Sequence, residues 1–333
     1  MENKKGLVSV VVSVHNIEDR LPKCLESISF QTYRNLDIIL IDDGSTDGSG
    51  RICDDFASAD SRTRVIHQRN QGLWAVRNRG IKESKGEYII FPDGDDYFHK
   101  DYIRLLYEAI NDGGEEYPVA ICDYRSTRDY CGDTCSYSEP VFEEVNRASL
   151  LESIVSYPSC GSTFWGANWN KLYRKSVLPQ PFQKEYSRCQ DFDSNLRFFF
   201  HIDKAVCVRK VLYYWVQWHG QSTRTSDFKQ IRDESRARIF YDHYMNLPAH
   251  LSSYKPDLLA NLYRRLVVWA EDSRRAGQYK EVRERVWQYE RTTLPFFLTA
   301  SELPARRKAR WLLSLHAPSL LKMMGGSIPL EMA

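Results

Sequence analysis

Glu87-Tyr88-Ile89-Ile90-Phe91-Pro92-Asp93-Gly94-Asp95-Asp96 decides the fold. Its first half is an apolar, β-branched and aromatic run of the kind that forms a buried strand. Its second half crowds carboxylates at the point where that strand passes into a loop. In an open α/β sheet, ligands bind in the crevice beyond the carboxyl ends of the strands. A hard cation such as Mn²⁺ or Mg²⁺ takes oxygen ligands there and leaves positions for substrate phosphates. A second acidic strand end, Leu36-Asp37-Ile38-Ile39-Leu40-Ile41-Asp42-Asp43-Gly44-Ser45-Thr46-Asp47, lies upstream, and a third apolar strand, Leu7 to Val14, runs into His15-Asn16. Together they deliver polar residues to one rim.

Outward from this stretch, strands predicted over 7–14, 36–41, 63–67 and 87–91 alternate with helices over about 18–30, 47–59 and 72–84. Such alternation predicts parallel βαβ units in an α/β fold, a mainly parallel central sheet with helices on both faces. Asp47-Gly48-Ser49 suits the cap of the second helix. An amphipathic helix over 101–112 ends at Asn111-Asp112-Gly113-Gly114, and Pro118 to Asp123 reads as a further strand. The polar segment Ser126 to Ser138 reads as a loop or hairpin over the site. Residues 141–225 are aromatic-rich, with Leu196-Arg197-Phe198-Phe199-Phe200 as a buried helical segment and strands over 205–208 and 211–216. After about 226 long helical patterns carry basic pairs such as Arg264/Arg265 and Arg274/Arg275. The expected domains are therefore 1–225, divided at 122/123 into two halves, and a helical 226–333.

The bulk composition narrows the classes. A chain of 333 residues with 42% hydrophobic and 27% charged residues can bury a real core. A formal net charge of +2, from 46 basic and 44 acidic residues, gives no reason to expect nucleic acid as a partner. The first apolar run follows Lys4-Lys5 and leads into polar residues, so no signal peptide is expected. No window reaches the ~18 uninterrupted apolar residues of a membrane span. The scattered cysteines Cys24, Cys53, Cys122, Cys131, Cys135, Cys160, Cys189 and Cys207 read as reduced structural thiols, and the expected location is cytoplasmic.

Four blocks carry a family resemblance: Val8 to Asn16, Ile41-Asp42-Asp43-Gly44-Ser45-Thr46-Asp47, Asn70-Gln71-Gly72-Leu73-Trp74-Ala75-Val76-Arg77-Asn78, and Phe91 to Asp96. In this order and spacing they resemble the signature of family 2 glycosyltransferases with the GT-A fold, of the bacterial surface-polysaccharide type. A weaker match runs through Trp169-Asn170-Lys171-Leu172-Tyr173 and Gln190-Asp191-Phe192-Asp193 to Gly220-Gln221-Ser222, so the resemblance covers roughly 7 to 225. It implies a metal-dependent transfer of a sugar from a UDP-sugar to a glycan acceptor in capsule, O-antigen or exopolysaccharide synthesis. A lipid-linked acceptor is a habit of the family. With one base, a metal-held leaving group and no second nucleophile evident, a single in-line displacement with inversion is the simplest course.

The resemblance also assigns residues. Asp95 is the direct metal ligand and Asp93 faces the ribose or the metal's waters, with Gly94 between them; Asp96 is set against a helix-capping role. The nucleoside lies against Ser13, His15, Asn16, Asp42 and Asp43. Asp43, acceptor-only, would take the ring N–H of a uracil-like base, which points to UDP. His15 stands where tyrosine is usual and Ser13 where proline or threonine is usual. Arg77 is set between a diphosphate contact and an ordinary surface charge, and Trp74 between core and pocket wall. Asp191 is the candidate base, with Asp193 its rival and Gln190 replacing the usual glutamate. The stretch Trp215-Val216-Gln217-Trp218-His219-Gly220-Gln221-Ser222 is expected to close over the diphosphate, with His219 set between a metal or phosphate contact and a structural role. Trp165, Trp169 and Asn170 belong to a stretch expected to line the acceptor groove. A catalytically silent nucleotide-sugar-binding module is the alternative. A sugar nucleotidyltransferase would need a Gly-rich loop after the first strand, and His15-Asn16-Ile17-Glu18-Asp19-Arg20 contains no glycine.

The segment from Pro304 to Met324 opens with Arg306-Arg307-Lys308-Ala309-Arg310 and continues Trp311-Leu312-Leu313-Ser314-Leu315. It fits either a helix in an anionic membrane interface, at the inner face of a plasma membrane, or an amphipathic helix packed on the protein with its arginines in water.

Overall fold

A computed structural model describes residues 4–114, 116–128, 139–155, 166–178, 182–186, 189–218 and 228–319. His219, Trp165, Cys131, Cys135, Cys160, Gly220-Gln221-Ser222, most of the 126–138 segment and residues 320–324 lie outside the described residues. The chain divides into two compact units, residues 1–154 with 159–219, and residues 155–158 with 220–333.

The first unit is built on β1 (Lys4–Val14), β2 (Leu36–Asp42), β3 (Thr63–His67) and β4 (Gly86–Ile90), with α1 (Leu21–Ser29), α2 (Ser49–Ala59) and α3 (Leu73–Glu83) as the crossovers. These four strands are parallel, in the order β3-β2-β1-β4. Alternate residues of β1 serve opposite faces. Val8, Val10, Val12 and Val14 pack with Leu21, Cys24, Leu25 and Ile28 of α1, while Val11 lies against α3, where a Cβ on Gly80 would come within 2.2 Å of it. Strand order reverses between β2 and β4 around β1, which opens the ligand crevice at their carboxyl ends. The bridge Ser13–Asp93 continues the β1–β4 pairing to that rim.

Beyond β4 the sheet becomes mixed. β5 (Tyr97–Phe98), α4 (Tyr102–Ile110), β6 (Val119–Thr127), β7 (Phe142–Asn146), α5 (Arg147–Val155), β8 (Lys171–Arg174), α6 (Gln190–His201) and β9 (Lys204–Val216) follow. β8 lies antiparallel between β4 and β6, β9 runs parallel to β6, and β5 and β7 both pair antiparallel with β9. The strands expected over 205–208 and 211–216 are one strand. The expected break coincides with a shift in the β6–β9 register, where Cys122 pairs with Val208 but Asp123 with Val211. The extra residues form a bulge rather than a turn. The predicted strand ending at Asp123 continues to Thr127, because β9 supplies partners as far as Val216.

The second unit holds α7 (Phe228–Asn246), α8 (Lys255–Arg275), α9 (Tyr279–Thr299) and α10 (Ala305–His316). α8 is central, with Leu258, Leu262, Leu266, Trp269 and Ala270 all buried. Tyr263 stacks on Phe297 of α9 at 3.6 Å, and Phe297 faces Trp311 of α10 at 5.9 Å. Trp311 and Leu315 are thus buried inside the unit, while Arg306, Arg307 and Arg310 are exposed. No helix among the described residues is long and apolar enough to cross a membrane.

Candidate active site

The loops after β1, β2 and β3 are stitched to one another. Asn16, at φ 51°, accepts the Thr46 N–H at 2.8 Å through Oδ1, and its own N–H donates to Ser45 Oγ at 3.1 Å. Asp47 accepts the N–H of Ser49 at the start of α2 and that of Glu18. Gly44, at φ 73°, lies so close to the β3 loop that a Cβ would sit 2.8 Å from Asn70 N. His15 and Asn16 are exposed, and the His15 imidazole meets Asn70 Nδ2 at 3.0 Å. Ser13 is half-buried where β1 ends.

Asp42 and Asp43 are both buried and engaged. Asp42 accepts the Ser45 N–H at 3.0 Å and meets His67 Nδ1 at 2.9 Å; burial pushes its carboxyl up, but these hydrogen bonds win and hold it below the usual range. His67 Nε2 also meets Asp54 at 3.0 Å, and the hydrogen bonds to Asp42 and then Asp54 raise the imidazole. Asp43 accepts Gln68 Nε2 at 2.7 Å and Gln71 N–H at 2.9 Å on Oδ1, and Gly72 N–H at 2.7 Å on Oδ2. It therefore anchors the 68–72 loop, and of about four acceptor positions on a carboxylate one remains for a ligand.

The acidic loop after β4 separates its carboxylates by task. Asp96 is 1% exposed and accepts the Tyr213 hydroxyl at 2.9 Å and the Val216 N–H at 2.7 Å, pinning β9 to the rim. It does not cap α4, which starts at Tyr102. Gly94 is required by close approach: a Cβ would lie 2.6 Å from Ser13 O and 2.7 Å from Ile17 Cδ1. Asp95 Oδ2 accepts Trp218 Nε1–H at 2.9 Å, and the Arg20 guanidinium lies 5.7 Å from the Trp218 ring. Burial pushes Asp93 up to about 7, the Asp95 and Asp191 charges adding to it and Arg77 opposing.

Arg77 is not a surface charge. It is 2% exposed, its Nη1 donates to Asp191 Oδ1, its Nη2 lies 3.5 Å from Asp93 Oδ1, and its guanidinium sits 5.3 Å from the Phe182 ring. One guanidinium thus joins the candidate base to the acidic loop. Asp191 stands in the first turn of α6, where the helix dipole favours a carboxylate. Its Oδ2 accepts the Asn168 N–H at 3.1 Å, and its side chain is 26% exposed. Asp193 is instead 2% exposed and bound to Arg197 at 2.8 Å. Trp169 is buried and stacks on Tyr213 at 4.5 Å, and Asn170 is buried with its amide on Cys122 O. Trp74 is half-buried.

Two residues of this neighbourhood were not singled out as site residues from sequence, Asn168 and Lys171. Lys171 is fully buried, donates to Ala167 O and, at 3.0 Å, to Asn170 Oδ1, and burial pushes its ammonium down to about 7 despite the Asp191 charge. It thereby holds the turn from which Asn168 reaches Asp191. The available signal was a lysine set between the aromatics Trp169 and Tyr173.

Among the described residues no group of three or more His, Cys, Asp or Glu side chains is arranged to hold a metal. Asp93 Oδ2 and Asp95 Oδ1 accept no hydrogen bond from described residues. Two carboxylates with open oxygens, one held up by burial and by the charge of the other, fit an Mg²⁺ or Mn²⁺ ion that takes its remaining ligands from water and phosphate.

The profile of "Glycosyl transferase family 2" matches residues 9–178. The chain belongs to family 2 of the glycosyl transferases. Among family 2 relatives, it is 31% identical to Glycosyltransferase GlyA of Streptococcus pneumoniae, over 77% of this chain and 35% of GlyA. It is 35% identical to Putative glycosyltransferase EpsH of Bacillus subtilis, over 62% of this chain and 60% of EpsH. The chain thus spans about a third and three fifths of the lengths of these two relatives. In structure it is similar to S. aureus TarS 1–349 in complex with UDP-GlcNAc, with a TM-score of 0.55 at 17% identity, over 84% of this chain and 91% of that one. It is also similar to mannosyltransferase PcManGT from Pyrobaculum calidifontis in complex with GDP-Man and Mn²⁺, with a TM-score of 0.55 at 14% identity, over 95% and 83%. These likenesses share the fold, the GT-A architecture.

Proposed function

We propose that the chain is an inverting, metal-dependent glycosyltransferase that moves a sugar from a UDP-sugar to a glycan acceptor in cell-surface polysaccharide synthesis, from the cytoplasmic side. The observation that carries this reading is Arg77, which ties Asp191 to Asp93 and so sets a candidate base one side chain away from a candidate diphosphate site. Asp191 takes the proton of the acceptor hydroxyl, whose oxygen attacks the anomeric carbon as the bond from that carbon to the diphosphate oxygen breaks and UDP departs. Arg77 and the Asn168 N–H hold the Asp191 carboxylate in place. Asp93 and Asp95 would hold Mn²⁺ or Mg²⁺, which supplies Lewis-acid stabilisation of the leaving diphosphate. The last acceptor position of Asp43 suits a uracil imide, and the UDP-GlcNAc complex of TarS supports that carrier. A lipid-linked acceptor suits the polysaccharide setting. The catalytic domain is assigned to 1–225 and the helical extension to 226–333.

A panel of UDP-sugars and GDP-sugars, scored for nucleotide release with Mn²⁺ and with EDTA, tests this. Release from a UDP-sugar, stimulated by metal and by a glycan acceptor, is expected. Release confined to GDP-sugars, the carrier in the PcManGT complex, would overturn the donor. Binding of nucleotide without release under any condition would make the chain a silent binding module.

A further inference from the structure

Among the described residues of the helical unit, Met245, Phe296 and Leu298 stand out as large apolar side chains in water, exposed by 45%, 52% and 52%. They belong to one end of the unit. Met245 follows Tyr244, whose ring packs against Phe296 at 6.0 Å. The carbonyl of Leu298 accepts Lys308 Nζ at 2.7 Å, which joins the end of α9 to the first turn of α10. That turn presents Arg306 and Arg307 to solvent, with Arg310 exposed one turn on. The sequence from Pro295 to Trp311 contains a single carboxylate, Glu302. α10 has no acidic residue in its first turn, so these cations are not placed for helix stability, which favours anions there.

α10 does not itself enter a bilayer apolar face first, because Trp311 and Leu315 are buried within the unit. We propose that Met245, Phe296 and Leu298, together with Arg306, Arg307, Lys308 and Arg310, form a shallow docking surface for an anionic lipid bilayer. Apolar side chains flanked by cations match the acyl boundary below and the anionic headgroups above. The surface is independent of the donor and of Asp191, so its test needs no catalysis.

Flotation of the full chain with phosphatidylcholine vesicles and with vesicles containing 30% phosphatidylglycerol provides that test. Binding to the anionic vesicles alone, reduced by 0.5 M NaCl, is expected. Each basic residue near such a surface is worth roughly five-fold in partitioning, so Arg306→Ser/Arg307→Ser should lose roughly 25-fold. Phe296→Ser/Leu298→Ser should weaken binding in either salt. All four side chains are exposed or at the surface, and unchanged thermal unfolding would verify that both variants fold. No binding by the full chain, equal binding to both vesicles, or binding insensitive to both double substitutions would overturn the proposal, the last by placing the contact elsewhere on the chain.

Discussion

Asp191→Asn separates the base from its neighbour in a way the geometry makes quantitative. The amide retains an oxygen that can accept the Asn168 N–H but loses the charge that faces Arg77. Arg77, 2% exposed, is then left with Asp93 at 3.5 Å. Breaking a buried ion pair costs roughly 3–5 kcal/mol, and the 26% exposure of Asp191 brings the expected loss to roughly 1–3 kcal/mol. Loss of a general base lowers transfer by roughly 10²–10⁴-fold, or about 3–5 kcal/mol in barrier. Asp193→Asn breaks the pair with Arg197, in which the aspartate is 2% exposed and the arginine 15%, so it should cost comparable stability. Its rate per folded molecule should stay near wild type. The assay is nucleotide release with a saturating donor, normalised to the folded fraction measured by thermal unfolding, with UDP affinity measured alongside by calorimetry. UDP affinity should change little in either variant. A larger normalised rate loss in Asp193→Asn than in Asp191→Asn would refute the assignment of the base.

Two further outcomes follow from the rim. Gly94→Ala places a methyl 2.6 Å from the Ser13 carbonyl, a backbone atom that cannot rotate away, so roughly 1–3 kcal/mol of stability and most nucleotide affinity should be lost, read by denaturant unfolding and by titration with UDP. Asp93 has a folded-state value of about 7, above its ordinary carboxylate value, so its contribution is present at low pH and is lost as pH rises through 7. The unfolding midpoint without metal should therefore fall between pH 5 and pH 7, and Asp93→Asn should flatten that slope; an unchanged slope in the variant would place the titration elsewhere.

Much of the first unit was legible because its elements are long and periodic. Thr63–His67 was predicted as found, and the helices after β1, β2 and β3 lie inside their predicted spans. What escaped was short or dependent on distant partners. β8 has four residues and β5 two, too few for any periodicity, and each exists because a neighbouring strand offers hydrogen bonds. The position of Arg77 escaped for the same reason. Its neighbours in sequence are those of an ordinary helix surface, whereas its partners lie 114 and 16 residues away. A solvated arginine and one buried between carboxylates have the same local sequence.

The structure gives each of these carboxylates its own partners. Asp42 and Asp43 hold loop N–H groups, Asp47 and Asp96 hold backbone at a helix start and a strand end, and Asp193 holds Arg197. Each is engaged by the fold, with one acceptor position of Asp43 left over. Asp93, Asp95 and Asp191 remain, sharing the buried guanidinium of Arg77 and the Trp218 indole. A fold selected for stability alone would not set Asp93 near both Asp95 and Asp191, because burial and like charge hold it near 7 instead of letting it ionise freely. Such strain is kept where a ligand relieves it. On the function proposed above, Asp93 and Asp95 would hold a cation that supplies positive charge at the acidic loop, while Arg77 orients Asp191.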